Sequence, residues 1–351
     1  MGLPTLVLDI GSGTQDVLYH IPGRELENCP KFVLPAPARM VARQVEELTR
    51  RRMGIYLHGD NMGGGFFRAL KAHMEAGLGV TVHPRAAFAL HDNPDTVRRW
   101  GIAISNRCPD GYAPIALRDY DPAWWRAFLG MAGLDYPGRV VAAAQDHGYH
   151  PDILGGGNRV GRFHLWRELL VSHDGDPAAL LYDVAPAPMT RLACLQDSMG
   201  GGPVADSAAA ALLGALSMPD IVARSHREGV LVANVGNSHT VAFLVWRERV
   251  LAVYEHHTGM LTPEKLVEDL TEFRRGWLTD EMVRDAGGHG CLYLPLPEEA
   301  EGFRPAYVLG PQRELLRGQG QFIAPGGDMM LAGCFGLLRG LAMRSAGAGE
   351  K

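Results

Sequence analysis

The segment that decides the fold is Leu6-Val-Leu-Asp-Ile-Gly-Ser-Gly-Thr-Gln-Asp-Val-Leu-Tyr19. Two apolar runs, each typical of a buried β-strand, flank a glycine-rich turn and predict a hairpin. Backbone N–H groups in such a turn surround a concavity where an anion can sit. Asp9 and Asp16 flank the turn, and carboxylates can hold Mg²⁺ or its waters. The pattern predicts a phosphate-binding hairpin; the alternative is a plain hairpin whose glycines only form the turn.

A second segment of the same design is Val230-Leu-Val-Ala-Asn-Val-Gly-Asn-Ser-His-Thr-Val-Ala-Phe-Leu-Val245. Between the hairpins, Asp206-Ser-Ala-Ala-Ala-Ala-Leu-Leu-Gly214 predicts a helix so rich in small residues that another backbone can approach it. The stretch 326–340, near the end of the chain, has the same character. Elsewhere strand-like runs alternate with helical patterns, which indicates an α/β protein.

Length and composition narrow the function classes. The 351 residues are enough for two cores that meet at a cleft, and 46% hydrophobic with 21% charged residues is typical of a folded chain. A formal net charge of −5 argues against nucleic acid as a partner. No run of about 18 apolar residues predicts a membrane span, and no signal peptide is recognisable, so we expect a cytoplasmic protein.

The order of the motifs carries a resemblance. A hairpin, a small-residue helix, a second hairpin, a strand that ends in glycine and another small-residue helix follow one another, which resembles the superfamily of actin, the heat-shock ATPases, and the acetate and sugar kinases. The resemblance implies a two-domain actin-like ATPase (ribonuclease H-like) α/β fold with a nucleotide cleft between the domains. Domain I would comprise residues 1–203 and 326–351, and domain II residues 204–325.

The same resemblance implies the site. ATP and Mg²⁺ are the implied cofactors. The implied reaction is phosphoryl transfer to an unknown small molecule, which could be anionic, or ATP hydrolysis. Asp9 and Asp16 would organise Mg²⁺ and the attacking group. The implied cofactor-binding residues are Gly11, Ser12, Gly13 and Thr14 in the first hairpin, Asn234, Gly236, Asn237, Ser238, His239 and Thr240 in the second, and Gly310 and Pro311 in the adenosine motif.

Three further segments resemble a narrower prokaryotic family, labelled "pyruvate formate-lyase activating enzyme related". They are Glu255-His-His-Thr-Gly-Met-Leu-Thr-Pro263, Gly287-Gly-His-Gly290 and Ala144-Gln-Asp-His-Gly148. True activases use a radical S-adenosylmethionine mechanism with three clustered cysteines that bind an iron–sulfur cluster. The five cysteines of this chain lie 43 or more positions apart. We therefore expect the fold of that family without the activity in its label.

Two other functions stay open. Asn234 stands where the superfamily motif usually begins with Asp, and it lacks the negative charge that helps to retain Mg²⁺. Pro311 stands where a second glycine is often found. These departures favour a nucleotide-dependent regulatory or chaperone-like protein with little turnover. The fourteen histidines favour instead a His-using hydrolase or metal enzyme that reuses the fold.

The histidines and central arginines allow both functional and structural interpretations. His257 or His289 could reach the cleft as a proton-transfer or substrate-binding group, and we assign both a catalytic role; otherwise they are core or surface residues. A transition-metal site is a weaker alternative for the segments that contain His147 and His150, His256 and His257, or His289. Arg159, Arg162 and Arg191 would clamp an anionic substrate, or they are solvated or paired.

Overall fold

The computed structural model describes residues 2–91, 93–150 and 157–348, without the side chains of residues 157–159 and 346–348. The glycines at positions 155 and 156 and the side chain of Arg159 therefore lie outside the described part of the chain. The strands of the described chain are β1 (Thr5–Ile10), β2 (Thr14–His20), β3 (Lys31–Pro35), β4 (Gly54–Gly59), β5 (Val80–Val82), β6 (Ala103–Ile104), β7 (Tyr112–Leu117), β8 (Arg139–Ala144), β9 (Leu181–Tyr182), β10 (Val204–Ala205), β11 (Val230–Val235), β12 (His239–Trp246), β13 (Arg249–His257), β14 (Gly290–Tyr293), β15 (Ala306–Leu309) and β16 (Gln321–Phe322). The α-helices of the same residues are α1 (Pro37–Arg50), α2 (Phe67–Glu75), α3 (Pro94–Arg99), α4 (Pro122–Met131), α5 (Gly157–Ser172), α6 (Thr190–Ser198), α7 (Ser207–Ala215), α8 (Pro219–Glu228), α9 (Pro263–Arg274), α10 (Asp280–Asp285) and α11 (Ala332–Ala348).

The first hairpin begins a six-stranded sheet in the order β3-β2-β1-β8-β10-β9. β1, β2 and β3 form an antiparallel meander, and β8 and β10 extend the sheet in parallel from β1. The register of the hairpin places Asp9 directly opposite Asp16. Because directly opposed residues of an antiparallel pair point to the same face, the two carboxylates belong to one site.

The second hairpin begins a sheet of the same design, in the order β14-β13-β12-β11-β15-β16. Here β11, β12 and β13 form the antiparallel meander, while β15 and β16 extend the sheet in parallel from β11. One apolar core is shared by the facing sides of the two sheets and holds residues such as Leu8, Phe243 and Tyr307. This duplicated arrangement confirms the predicted actin-like α/β fold.

Two helices made of small residues connect the halves. Asp206 caps α7 by accepting a hydrogen bond from the backbone N–H of Ala208 at 3.0 Å. A Cβ atom on Gly336 of α11 would collide with the carbonyl of Ala210 in α7, and one on Gly214 would collide with that of Ala332. The helices therefore cross backbone to backbone, as their composition predicts. The predicted helical stretch 326–340 needs one correction: α11 begins at Ala332, because residues 325–327 form a separate 3₁₀ turn.

A third sheet lies between β3 and β8 in the chain. Its four parallel strands have the order β6-β5-β4-β7, and it has its own apolar core with α1 and α2, including Val45, Phe66 and Leu70. The sequence pattern predicts several of these strands but does not separate them from the first sheet. The proposed boundaries at residues 203/204 and 325/326 stay a prediction. Among the described helices, none combines the length and apolarity needed to cross a membrane.

Candidate functional site

The two hairpin turns meet at a cleft of about 520 Å³. The hydroxyl of Ser238 donates a hydrogen bond to the hydroxyl oxygen of Ser12 at 2.7 Å, which joins the two tips directly. A Cβ atom on Gly13 would lie 2.7 Å from the Asn237 amide nitrogen, so the absence of a side chain at Gly13 lets the two tips approach closely. The predicted residues that line the cleft are Asp9, Gly11, Ser12, Thr14, Asp16, Asn234, Gly236, Asn237, Ser238, His239, Gly310 and Pro311.

Asp9 and Asp16 lie together in the wall of the cleft and share an environment that disfavours charge. Burial raises the pKa of Asp9 to about 7, although the Ser207 hydroxyl opposes the shift by donating a hydrogen bond to Oδ1 at 2.6 Å. Burial and the neighbouring Asp9 raise the pKa of Asp16 to about 8. The Oδ1 atom of Asp16 is buried without a hydrogen-bond partner. Two close carboxylates with an unused oxygen fit a site for a hard cation such as Mg²⁺.

The adenosine motif borders the cleft next to the second hairpin. Gly310 ends β15 with φ +100°, and a Cβ atom at this position would clash with the Val235 carbonyl and lie 2.7 Å from Asn234 Oδ1. Glycine is therefore required by both its backbone and its neighbours. Leu309, Met329 and Met330 form an apolar section of the wall beside it, which suits the face of a planar ring.

Four predicted residues do not line the cleft. Gly13 packs against Asn237, as described above. Thr240 is buried, and its hydroxyl bonds to that of Thr258 at 3.0 Å. His257 and His289 lie behind the second hairpin, where their ring centroids are 4.6 Å apart. The other twelve predicted residues, which line the cleft, are therefore the ones that can contact a ligand there.

A histidine cluster forms beside the second hairpin. His147, His239 and His289 gather with Glu255 so that their potential ligand atoms all lie within 4.8 Å of one another. His147 follows β8 of the first sheet, whereas the other three belong to or adjoin strands of the second. His147 and His239 also line the cleft. The Nε2 atom of His147 and both ring nitrogens of His239 and His289 are buried and have no hydrogen-bond partner among the described residues.

The central arginines are paired within the protein. Arg162 is fully buried and binds Asp206 and Glu255, the latter with 2.9 Å between Nε and Oε2. Arg191 binds Asp119 with 2.7 Å between Nε and Oδ2, and its guanidinium also donates to the Gln145 carbonyl at 2.8 Å. Their hydrogen bonds are thus directed at protein groups, as in the structural alternative raised for them above, while Arg191 also lines the cleft.

Other cleft residues escaped the sequence analysis. Ser207 contacts Asp9 only because the N-terminus of α7 lies against β1. Residues 61–65 and 88–91 come from the third sheet's unit and form the opposite wall. The triplet Gly63-Gly64-Gly65 was a usable signal, because consecutive glycines allow backbone close to a ligand. The hydrophobic stretch near Phe88 contains no comparable sequence signal.

Solved structures resemble this chain only weakly. The sequence has no match among curated proteins. The structure resembles an exopolyphosphatase-like protein with a TM-score of 0.30 and 8% identity, over 88% of this chain and 66% of the other. It resembles the ethanolamine utilization protein EutJ from Carboxydothermus hydrogenoformans with a TM-score of 0.28 and 10% identity, over 95% of this chain and 88% of the other. The strand order and the crossing helices define the fold of this chain.

A family profile gives the clearer relationship. The profile matches residues 62–315, well over half of the 351-residue chain. The matched part includes the histidine cluster, the second hairpin and the strand that ends at Gly310. It begins after the first hairpin, whose place in the site is given by the structure. The chain belongs to the family described as "Putative pyruvate format-lyase activating enzyme (DUF1786)".

Proposed function

We propose that this protein binds a nucleoside triphosphate with Mg²⁺ in the cleft and transfers its terminal phosphoryl group to a small molecule or to water. The convergence of two glycine-rich turns and two aspartates on a single cleft supports this function most directly. Phosphoryl transfer depends chiefly on positioning and charge stabilisation, which such a cleft can provide.

The turns supply the phosphate donors in this proposal. The N–H of Gly11 bonds to the Thr14 carbonyl at 2.9 Å, and that of Gly236 bonds to the His239 carbonyl at 3.0 Å. These bonds hold the two turns in shape, which leaves the backbone amides of Ser12, Asn237 and Ser238 as the donors for phosphate oxygens. The Ser12–Ser238 hydrogen bond occupies the same place, so a bound phosphate replaces it.

Asp9 and Asp16 hold the cation. When bound there, Mg²⁺ would neutralise phosphate oxygens and stabilise the negative charge that develops during transfer. Ser207 orients Asp9 by its hydrogen bond, and the absence of a side chain at Gly333 is required because a Cβ atom there would collide with the Asp9 carboxylate. Leu309, Gly310 and the two methionines accommodate the base.

The test is calorimetric titration of the metal-stripped protein with ATP, with and without Mg²⁺. We expect saturable binding that requires Mg²⁺ and is weakened roughly 100-fold or more in Asp16→Asn. Asp110→Asn is the matched control, since Asp110 is exposed and outside the cleft. Absence of binding at millimolar ATP in the wild-type protein, or equal affinity in the two variants, would refute the proposal.

Asn234 supports a second candidate, a regulatory protein that binds nucleotide but hardly turns it over. Asn234 lines the cleft and is neutral where the superfamily motif has an acid. Asn234→Asp distinguishes the two: a large gain of ATP hydrolysis in the variant supports the regulatory protein, whereas substantial wild-type turnover that the variant does not increase supports the enzyme. Asn237→Asp, on the exposed part of the same turn, is the control for added charge.

The family's description is not the basis of this proposal. The five cysteines are free, and no three of them gather among the described residues. Cys29 and Cys334 are buried in one apolar core and Cys291 in another, where cysteine acts as a small core residue.

A further inference from the structure

We propose that His147, His239 and His289 bind a divalent transition metal ion of the zinc class, with Glu255 as the neighbouring anion. This site is separate from the Asp9 and Asp16 pair and does not depend on nucleotide binding. Zn²⁺ and similar ions bind imidazole nitrogens well, whereas Mg²⁺ prefers oxygen ligands. The site would join the two sheets, because His147 follows β8 while His239 and His289 belong to the second sheet's side.

The unused ring nitrogens are the first observation behind the proposal. His289 is 97% buried, since only 3% of its surface is exposed, and neither of its ring nitrogens has a hydrogen-bond partner. The same holds for the ring nitrogens of His239. A buried polar group without a hydrogen-bond partner destabilises the folded protein. Several such groups pointing at one place are accounted for by an ion that accepts their lone pairs.

The distances allow coordination with small side-chain movements. The ligand atoms lie within 4.8 Å of one another, whereas a tetrahedral zinc with nitrogen ligands at about 2.1 Å separates them by about 3.4 Å. The rings already face one another, with centroid separations of 5.0 Å between His147 and His289 and 4.9 Å between His239 and His289. Asp146 fixes the neighbouring backbone by accepting hydrogen bonds from Gly148 and Leu192.

The protonation state agrees with this geometry. Burial lowers the pKa of His239 to about 4 and that of His289 to about 3, and it holds the pKa of His147 well below its usual range. At neutral pH the three imidazoles are therefore neutral, which is the form that binds metal.

Glu255 is better suited to the role of neighbour than of ligand. Its Oε1 atom accepts hydrogen bonds from Gln145 at 2.8 Å and Arg162 at 3.3 Å, and its Oε2 atom from Arg162 and Trp166, both at 2.9 Å. Both oxygens are thus already occupied. Three histidines then leave the fourth position of the ion open, as in catalytic rather than structural zinc sites. His147 and His239 line the cleft, so that position is reached from the cleft.

Charge favours a cation at this place. Burial would raise the pKa of Glu255, but the charge of Arg162 outweighs it and holds that pKa well below its usual range. Arg162 also binds Asp206, so the buried trio carries two negative charges against one positive charge. A divalent ion among the neutral histidines offsets the excess negative charge.

The experiment is elemental analysis of the purified protein, followed by Zn²⁺ titration of the metal-stripped protein. We expect one ion per chain. In both His147→Gln and His289→Gln we expect the Zn²⁺ affinity to fall by about 100-fold or more, since even indirect partners of a metal contribute about 10–100-fold. His73→Gln is the control for loss of a buried imidazole, because His73 lies in the separate core of the third sheet and bonds to Thr49. Asp9→Asn should keep the zinc affinity, which separates this site from the magnesium site.

Circular dichroism of each metal-free variant checks folding. Two ligand variants are used so that failure of one to fold leaves the other as the test. Wild-type protein that binds no Zn²⁺ at 100 µM, or ligand variants that bind it like wild type, would overturn the proposal. Substitution with Co²⁺ tests the open position: added azide should change the visible absorption spectrum, and an unchanged spectrum would contradict an open position.

Discussion

At the scale of single residues, several ionisable side chains are buried, where a protein without a bound partner does not favour their charged forms. Asp9 and Asp16 face each other in the cleft wall, and each has a pKa raised by burial. Arg162 is fully buried between two carboxylates. Such groups reduce the stability of the empty protein unless a partner compensates for them, so they are also the residues where a substitution is most informative.

The first residue-scale prediction concerns Asp9→Asn in the presence of a chelator. Because the pKa of Asp9 rises from 3.8 to about 7 in the folded protein, the native state binds more protons than the unfolded state between these values. The stability of the wild type then falls as pH rises through this window, whereas Asn does not titrate. We expect nearly equal melting temperatures at pH 4 and a variant that melts about 2–4 °C higher at pH 8.5. Thermal unfolding across pH 4–9 is the measurement; a constant difference would contradict the argument.

The second residue-scale prediction concerns Arg162→Met. The variant leaves the carboxylates of Glu255 and Asp206 buried without their counter-ion. Removing one member of a buried ion pair costs about 3–5 kcal/mol. The matched control is Arg50→Met, whose pair with Glu47 is exposed on α1 and is expected to contribute less than about 1 kcal/mol. Urea unfolding measures both, and similar losses in the two variants would show that burial is not decisive.

At the scale of elements, the repeated unit is a glycine-rich hairpin followed by parallel strands, and the two copies are held together by helices of small residues. The eight residues from Ala208 to Ala215 in α7 are all buried. Glycines in α7 and α11 meet the facing backbone with no room for a methyl group. The backbone-to-backbone contact between α7 and α11 therefore sets the distance between the two hairpin sheets, and with it the width of the cleft.

The element-scale prediction compares Gly336→Ala with Gly130→Ala. Alanine is intrinsically better than glycine inside a helix by about 1 kcal/mol. At Gly130 in α4 a Cβ atom meets nothing within 4 Å, so the substitution should stabilise the protein by about 0.5–1 kcal/mol. At Gly336 the added methyl group would push α11 away from Ala210, and we expect a loss of about 1–3 kcal/mol. Opposite signs in denaturant unfolding support the packing argument, and a gain at both positions would refute it.

At the scale of the whole molecule, the cleft has walls from three sheets. Both hairpin sheets contribute their turns, and the third sheet's unit contributes residues 61–65 and 88–91. The bridge from Ser238 to Ser12 and the ion pair of Arg191 with Asp119 connect these parts. A ligand in the cleft therefore acts on all three parts at once.

The whole-molecule prediction uses hydrogen exchange with Mg²⁺ and ATP at 100 times Kd. Binding should slow exchange in both turns, residues 11–14 and 236–239, by up to about 100-fold, which corresponds to about 2.7 kcal/mol. Helix α9, none of whose residues lines the cleft, should show less protection for locally exchanging amides. Protection in only one turn would contradict a ligand held between the two hairpins.

The sequence by itself determined the two hairpins, the small-residue helices and their order, because each has a local signature: continuous apolar runs, glycine-rich turns and stretches of small residues. It also predicted Asp9 and Asp16 as a pair, since their register follows from a tight turn. The histidine cluster shows the limit. Histidines 257 and 289 were assigned catalytic roles, His239 a place in the phosphate turn, and the segment with His147 a weaker transition-metal alternative. Their grouping with Glu255 in one cluster was not foreseen.

Only the tertiary structure brings that cluster together, because its four members come from positions 147, 239, 255 and 289, on or next to strands of two different sheets. No spacing in the sequence encodes such a site. The separate third sheet likewise depends on which strands pair, and pairing between distant strands is decided by packing and not by local pattern. Local physics sets the elements of this protein, and long-range burial decides which side chains meet.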